Sequence, residues 1–348
     1  MKYFFITASM VGGGTERVIS ILANHFAKKG NDVTILMTAN DTIDYELDNR
    51  ICTKLITTNT GGSILKRLER IQKLRQIYKE NLDAAFYSFG TETNLFAILA
   101  GLGTRVNLIL SERNDPNRCT YKLLRDVIYF FGNKFVFQTE QAKRYFSKRI
   151  QNRSAVIPNP IREDIGESYQ GVRKKRVVAV GRLEPQKNQK LLLEAFQLFH
   201  NEYQEFYLDI YGQGPCLDEL KRETEKLNIV ENVHFKGFSK NILEEIQDAS
   251  MYVLSSDYEG IPNSLLEAMA IGLPVISTNC PIGGPESVIC NGINGILVET
   301  GNAAQLAESM CYYAKCPEKA AEFGEKATEI KETNKAERIA SMWDAMKN

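Results

Sequence analysis

MKYFFITASMVGGGTERVISILANHFAKKGNDVTILM, residues 1–37, reads as strand, turn, helix and strand. KYFFIT is a β-rich apolar run, and the VGGG turn interrupts it. Val18, Ile21, Leu22 and Phe26 then recur at helical spacing until Gly30 stops the helix. NDVTILM is the second strand. LDAAFYSF (82–89), VNLILS (106–111) and KFVFQT (134–139) continue the series, separated by helical stretches at 92–101 and 118–131. Strands alternating with helices predict a parallel sheet with right-handed crossovers.

Pro158 and Pro160 in AVIPNPI (155–161) prevent either a strand or a helix from running through, and the pattern restarts beyond them. RVVAVG, FYLDIYG, NVHFKGF, MYVLSS, LPVIST and NGILV read as strands, with helices at 188–203, 214–227 and 264–271. The expected fold class is α/β: two Rossmann-like, doubly wound domains facing each other across a cleft, residues 1–160 and 161–330. Residues 303–348 read as helical, and the apolar spacing of 331–348 suits packing back on the first domain. Ligands of such sheets sit beyond the carboxyl ends of strands at topological switch points, so the chemistry is expected on loops that follow strands.

The length of 348 residues, 43% hydrophobic and 25% charged, suits two full-sized soluble domains and excludes a disordered or disulfide-stapled chain. Seven scattered cysteines, an odd number, read as reduced thiols. No apolar run approaches the ~20 residues of a membrane span, and the N-terminus lacks the pattern of a signal peptide. A cytoplasmic location is therefore expected. Charge is unevenly placed: residues 1–150 carry 22 Lys and Arg against 14 Asp and Glu, although the whole chain is neutral. The basic half suggests contact with phosphates or an anionic membrane surface; no nucleic-acid partner is expected.

Three constellations follow strands. Gly12, Gly13 and Gly14 precede a helix, where free amides attract phosphate; a tight turn without a ligand is the bland alternative. A dinucleotide fingerprint fails, because Arg17 stands where the last glycine belongs and no acid closes the second strand. Gly181-Arg182-Leu183-Glu184-Pro185-Gln186-Lys187-Asn188 follows RVVAV and offers two cations suited to a diphosphate, or else a solvated surface pair. Asp257-Tyr258-Glu259-Gly260-Ile261-Pro262-Asn263-Ser264 leads into a helix carrying Glu267. That helix start favours an anion, with one carboxylate on either side of it.

SSDYEGIPNSLLEAMAIGLPVISTNCPIGGPESV, together with GRLEPQKN and VGGGTER, resembles the retaining family four of nucleotide-sugar glycosyltransferases, whose fold is GT-B. The likeness spans nearly the whole chain, with the motifs in order. Bacterial capsular, exopolysaccharide and undecaprenyl-diphosphate-linked glycan transferases are the nearest kind. The resemblance implies a UDP-sugar donor, with Glu259 on donor-sugar hydroxyls and Glu267 on the ribose. It places Arg182 and Lys187 on the diphosphate, and it brings Gly13, Gly14, Gly181 and the 260–264 turn (Gly260, Ile261, Pro262, Asn263, Ser264) into the same region. IYGQGP (210–215) and the turn at Gly237 would frame the nucleobase. Glu259, Arg182 and Lys187 are the expected catalytic set.

On ILKRLERIQKLRQIYK (64–79), Ile64, Leu68, Ile71 and Tyr78 share one helical face, and Lys66, Arg70 and Lys73 the opposite one. This resembles the basic helix with which such enzymes grip a lipid diphosphate, although a solvated amphipathic helix has the same pattern. Thr91 of TETN, and Glu112, Arg113 and Asn114 of SERNDP, are expected toward a lipid-linked glycan acceptor. The protein would work peripherally on the inner membrane face. None of His25, His200 and His234 follows an N-terminal strand, so a catalytic histidine is not expected. No Asp-x-Asp motif is present, so neither a metal nor another cofactor is expected. A UDP-sugar epimerase of the same fold and a non-catalytic nucleotide-sugar-binding subunit are the alternative readings.

Overall fold

The computed structural model describes residues 1–56 and 63–347, with only the backbone for Ser63 and Ile64. The chain divides into two compact units. Unit 1 comprises Met1–Arg162 with Asn334–Asn348, and unit 2 comprises Glu163–Thr333.

In unit 1 the strands are β1 (Lys2–Thr7), β2 (Asp32–Met37), β3 (Cys52–Leu55), β4 (Ala85–Phe89), β5 (Asn107–Ser111), β6 (Lys134–Phe137) and β7 (Ser154–Val156). They form one sheet in the order β3-β2-β1-β4-β5-β6-β7, with every pairing parallel. The helices are α1 (Gly14–Lys28), α2 (Ser63–Glu80), α3 (Thr91–Gly101), α4 (Lys122–Tyr129) and the short α5 (Glu140–Arg144) and α6 (Lys148–Gln151). β1 is buried from Tyr3 to Thr7, and β4 throughout. A sheet covered on both faces demands this continuous apolarity rather than alternation. Neither β3 nor β7 is among the strands expected from sequence. Both are short edge strands, and β3 is largely exposed, so no apolar run announces it.

Unit 2 holds β8 (Lys174–Val180), β9 (Tyr207–Tyr211), β10 (Val233–Gly237), β11 (Ala249–Leu254), β12 (Val275–Thr278) and β13 (Ile296–Val298). Their order is β10-β9-β8-β11-β12-β13, again all parallel. Between and after them run α7 (Gln189–His200), α8 (Leu217–Lys226), α9 (Ile242–Ile246), α10 (Asn263–Ala270), α11 (Ala303–Lys315), α12 (Pro317–Ala327) and α13 (Ile330–Thr333). Phe196, Phe199, Leu192, Leu208, Ile210 and Met251 anchor the core between α7 and the sheet. The chain winds from β8 outward to β10 and then crosses to β11 on the other side of β8. The β8–β11 gap is therefore the switch point.

The last helix, α14 (Ala336–Ala345), returns to unit 1 and packs on α1. Trp343 is fully buried, with its ring 5.4 Å from Tyr87 and 5.2 Å from Phe89. Polar contacts hold the same end: Tyr87 donates to the Trp343 carbonyl at 3.1 Å, Asn107 to the Lys347 carbonyl at 2.6 Å and Lys134 to the Met346 carbonyl at 2.8 Å. Replacing Trp343 by Ala empties a core site, and a loss of about 3–5 kcal/mol in urea unfolding is expected. A shift below 1 kcal/mol would mean that α14 only rests on the surface.

Candidate active site

Lys187 and Glu259 meet because β8 and β11 are neighbours. The loop after β8 (181–188) and the loop after β11 (255–262) rise side by side at the switch point. Lys187 Nζ donates to Glu259 Oε1 at 2.5 Å, and both side chains are largely buried. Ser256 donates to the same oxygen at 2.7 Å, and Gln186 Nε2 reaches Oε2 at 3.4 Å. An ammonium has three N–H donors and only one is spent on the carboxylate, so the cation can serve a second anion without breaking the pair.

The two loops are tied together by their backbones. The Asp257 amide donates to the Gln186 carbonyl at 2.9 Å, and Ser255 Oγ to the Lys187 carbonyl at 2.9 Å. Asn188 takes left-handed φ and ψ of 43° and 48°, caps α7 through the Leu191 amide and donates to Asp257 at 2.7 Å. Gly181 leaves room for the Lys187 stem: a Cβ there would meet Cε at 3.3 Å. Below, Thr278 Oγ1 and Cys280 Sγ both donate to the Ser256 carbonyl, at 2.6 and 3.1 Å, and burial pushes the Cys280 thiol up to about 12.

The structure separates the two expected cations. Arg182 is exposed and bonded to Glu184 at 2.9 Å, while its carbonyl is held by Gln189 at 2.9 Å. It is therefore a solvated pair on a fixed loop, not a second buried cation. Glu259 lies within the loop, five residues past the end of β11. Glu267 is buried on α10, whose start at Pro262 has no side-chain cap. Ser264 accepts from Tyr252 at 2.9 Å, which holds the first turn of α10 against β11. Gly237 ends β10 with φ 72°.

Gly260 is pressed by a second turn. Ile282 (φ 65°) and Gly283 (φ 69°) both take left-handed backbone, unusual for a β-branched residue, and carry Gly284 onto the Gly260 carbonyl. No Cβ fits at 284. Asn188 caps the helix that follows, as its place before that helix suggests, and Gln186 and Asp257 stand inside the quoted stretches without an assigned role; Ser256 was not singled out, and a small polar residue immediately past a strand end was its available signal.

Unit 1 departs further from expectation. Gly13 is the N-cap of α1 and Gly14 its first residue, but the amide of Gly12 donates to Asp44 at 2.8 Å, and the Glu16 carboxylate lies where a Cβ of Gly13 would stand. Carboxylates of the chain itself cover the turn where a phosphate was expected. Glu112 is buried rather than presented to an acceptor. It accepts from Thr91 at 3.0 Å, from Asn94 at 3.4 Å and from the Tyr129 hydroxyl, and burial raises its pKa. Thr91 thus serves Glu112, and Asn114, exposed, accepts from the Asp115 amide at 2.9 Å.

Arg113 is the residue of this group with unmet bonding capacity. Nη2 donates to Asn159 at 2.5 Å, whereas Nε and Nη1 are buried without a partner. Desolvation lowers its pKa to about 9. On α2, Arg70 lies over the Phe96 ring at 5.7 Å and Lys73 bridges Glu69 at 2.8 Å; Lys66 is half-buried. The apolar face is rotated from the expected one: Leu74 and Tyr78 are buried and Leu68 is exposed, while the Ile64 side chain lies outside the described residues.

Gly284→Ala places a methyl group on the Gly260 carbonyl, and a cost of about 1–3 kcal/mol is expected in urea unfolding. An unchanged midpoint would show that the two turns are not in contact.

Residues 161–330 match the family described as Glycosyl transferases group 1. An uncharacterized glycosyltransferase of Haemophilus influenzae is 27% identical over 98% of both chains. A Campylobacter jejuni GalNAc-alpha-(1->4)-GalNAc-alpha-(1->3)-diNAcBac-PP-undecaprenol alpha-1,4-N-acetyl-D-galactosaminyltransferase is 28% identical over 89% of this chain and 88% of its own. Among solved structures, Anabaena HepE in complex with UDP superposes with a TM-score of 0.85 at 18% identity, covering 99% of each chain. Two parallel Rossmann-like units and these likenesses lead to one conclusion: the chain has the GT-B fold, and its residues 161–330 match the family of group 1 glycosyl transferases.

Proposed function

We propose that this protein transfers a hexose or N-acetylhexosamine from a UDP-sugar to a lipid-linked or membrane-associated glycan, with retention of configuration, in bacterial polysaccharide assembly. The Lys187–Glu259 pair beside the start of α10 carries the reading. It is a largely buried cation with spare donors, a carboxylate for sugar hydroxyls and a helix terminus for an anion, all within one strand-end loop pair. The likeness to HepE, solved with UDP, supports the nucleotide, and the name of the Campylobacter relative supports an N-acetylgalactosaminyl donor and an undecaprenyl-diphosphate-linked acceptor.

As the sugar–phosphate bond lengthens, positive charge grows at the anomeric carbon and negative charge on the departing UDP. Lys187 and the α10 amides would hold that charge more strongly in the transition state than in the bound donor, which is what lowers the barrier. Arg182 would swing from Glu184 to the diphosphate. Glu259 Oε2, engaged only by a long contact to Gln186, would accept from donor-sugar hydroxyls. Glu267 would hold the ribose, and Gly237 would border the base. Arg113 would direct its unpartnered N–H groups to an acceptor oxygen. Attack on the same face that UDP leaves, with the leaving phosphate taking the acceptor proton, would need no protein base. The work would take place peripherally on the cytoplasmic face of a membrane; among the described residues no helix is long and apolar enough to cross one.

Lys187→Ala is expected to lower turnover by about 10²–10³ while the fold is kept. Glu259→Gln should weaken UDP-sugar binding more than UDP binding in calorimetry. Near-normal transfer by the first variant, or equal losses of both ligands in the second, would remove the assigned roles. Transfer should also continue in EDTA, since the leaving group would be neutralised by Lys187, Arg182 and a helix start; abolition by EDTA with rescue by Mg²⁺ would refute the metal-free reading.

A further inference from the structure

Helix α4 is folded inside out. Its buried side chains are Arg125, Ile128 and Tyr129, whereas Leu123 is 85% exposed and Val127 62%. Leu124, Phe130 and Phe131 are each more than half exposed as well. Leu123, Leu124 and Val127 share one side of α4, and Phe130 and Phe131 follow directly after its last residue, their ring centres 5.5 Å apart. Specific bonds hold the helix in this orientation. Arg125 donates to the Pro116 carbonyl at 2.7 Å and lies over the Phe146 ring at 4.9 Å, and Tyr129 donates to buried Glu112.

These apolar side chains have cations close by. The Arg149 guanidinium stands 4.3 Å from the centre of the Phe130 ring, and Arg118, Lys122 and Lys148 are exposed nearby in sequence. Residues 118–153 hold nine Lys and Arg against two acids, Asp126 and Glu140; Arg125 is buried and Lys134, Lys143 and Arg153 are half-buried, while Arg118, Lys122, Arg144, Lys148 and Arg149 are exposed. Helices α2, α3 and α4 pack in succession as one layer, and α2 also exposes Leu65 and Leu68.

We propose that the outward side of α4 docks on an anionic phospholipid surface, with Leu123, Val127 and Phe131 entering the acyl boundary and the nearby exposed cations meeting headgroup phosphates. Exposed apolar side chains with Arg149 on one of them and further exposed Lys and Arg close by in the chain match the layered chemistry of that interface. A second copy of the chain fits less well, because a two-fold contact of this patch with itself would set like charge against like. The docking extends the reading of a lipid-borne acceptor but stands on surface chemistry alone.

The test is flotation of the full chain with phosphatidylcholine vesicles, with and without phosphatidylglycerol, in the absence of donor and acceptor. Binding to the anionic vesicles only is expected, weakening at high salt. Leu123→Glu/Phe131→Glu should bind about tenfold more weakly or worse, with an unchanged melting temperature. Equal flotation of this variant, or conversion of a dimer to a monomer by it without loss of vesicle binding, would overturn the proposal. Should the double variant melt early, Leu123→Trp serves instead. A blue shift of its emission on anionic vesicles supports docking, and an unchanged spectrum refutes it. Transfer to a detergent-soluble acceptor, measured separately, keeps the two readings apart: vesicle binding without transfer sinks only the glycosyltransfer assignment, and transfer without vesicle binding sinks only the docking.

Discussion

An ammonium and a carboxylate 2.5 Å apart, both largely withdrawn from water, organise unit 2. Neither charge would be stable there alone, since removing an ion from water costs several kcal/mol unless a partner compensates it. The pair therefore has to form when the β8 and β11 loops come together, and every tie between those loops serves to hold it. Ser256 donates to the same carboxylate oxygen and Gln186 reaches the other, Asn188 bends the chain beneath Lys187, and Gly181 and Gly284 yield the space that their neighbours occupy. Such a site is charged yet balanced, with donors left over, and it is built on two strand-end loops that backbone hydrogen bonds tie together.

Unit 1 solves a similar problem differently. Glu112 is buried behind the end of β5 and is satisfied by Thr91, Asn94 and Tyr129, with Arg125 close enough to oppose the rise of its pKa. Drawing Arg125 and Tyr129 inward forces the other residues of α4 outward, and those residues are apolar. The polar core of this corner and the apolar stripe on its surface are thus one event: the helix can turn only one face to the sheet.

Much of this was legible in the order of residues. Continuous apolar runs gave away the buried strands, and the helical spacing of Val18, Leu22 and Phe26 marked α1, because a sheet covered on both faces leaves no other periodicity. The loops carrying Lys187 and Glu259, the second of them leading into the helix of Glu267, were legible for a related reason: Gly, Pro and charged residues past an apolar strand have few structural duties. Edge strands β3 and β7 were not, since a short, half-exposed strand has no pattern apart from the neighbour that pairs with it. The face of α2 was misjudged because Ile71 and Tyr78 fit two possible stripes, and only packing against α3 selected the one through Leu74.

Chain order alone established two α/β units, a restart after the Pro158–Pro160 segment, and which strand-end loops hold the charged groups, for these are local properties of spacing and composition. Tertiary structure decided partnership. It joined Lys187 to Glu259 while leaving Arg182 in solvent, covered the Gly12–Gly14 turn with Asp44 and Glu16, buried Glu112, left two Arg113 donors unmet and turned α4 apolar side outward. Side-chain type limits which bonds a residue can make, but the residue that stands opposite it depends on sheet order and helix rotation, and both are set by packing across distances that no sequence window spans.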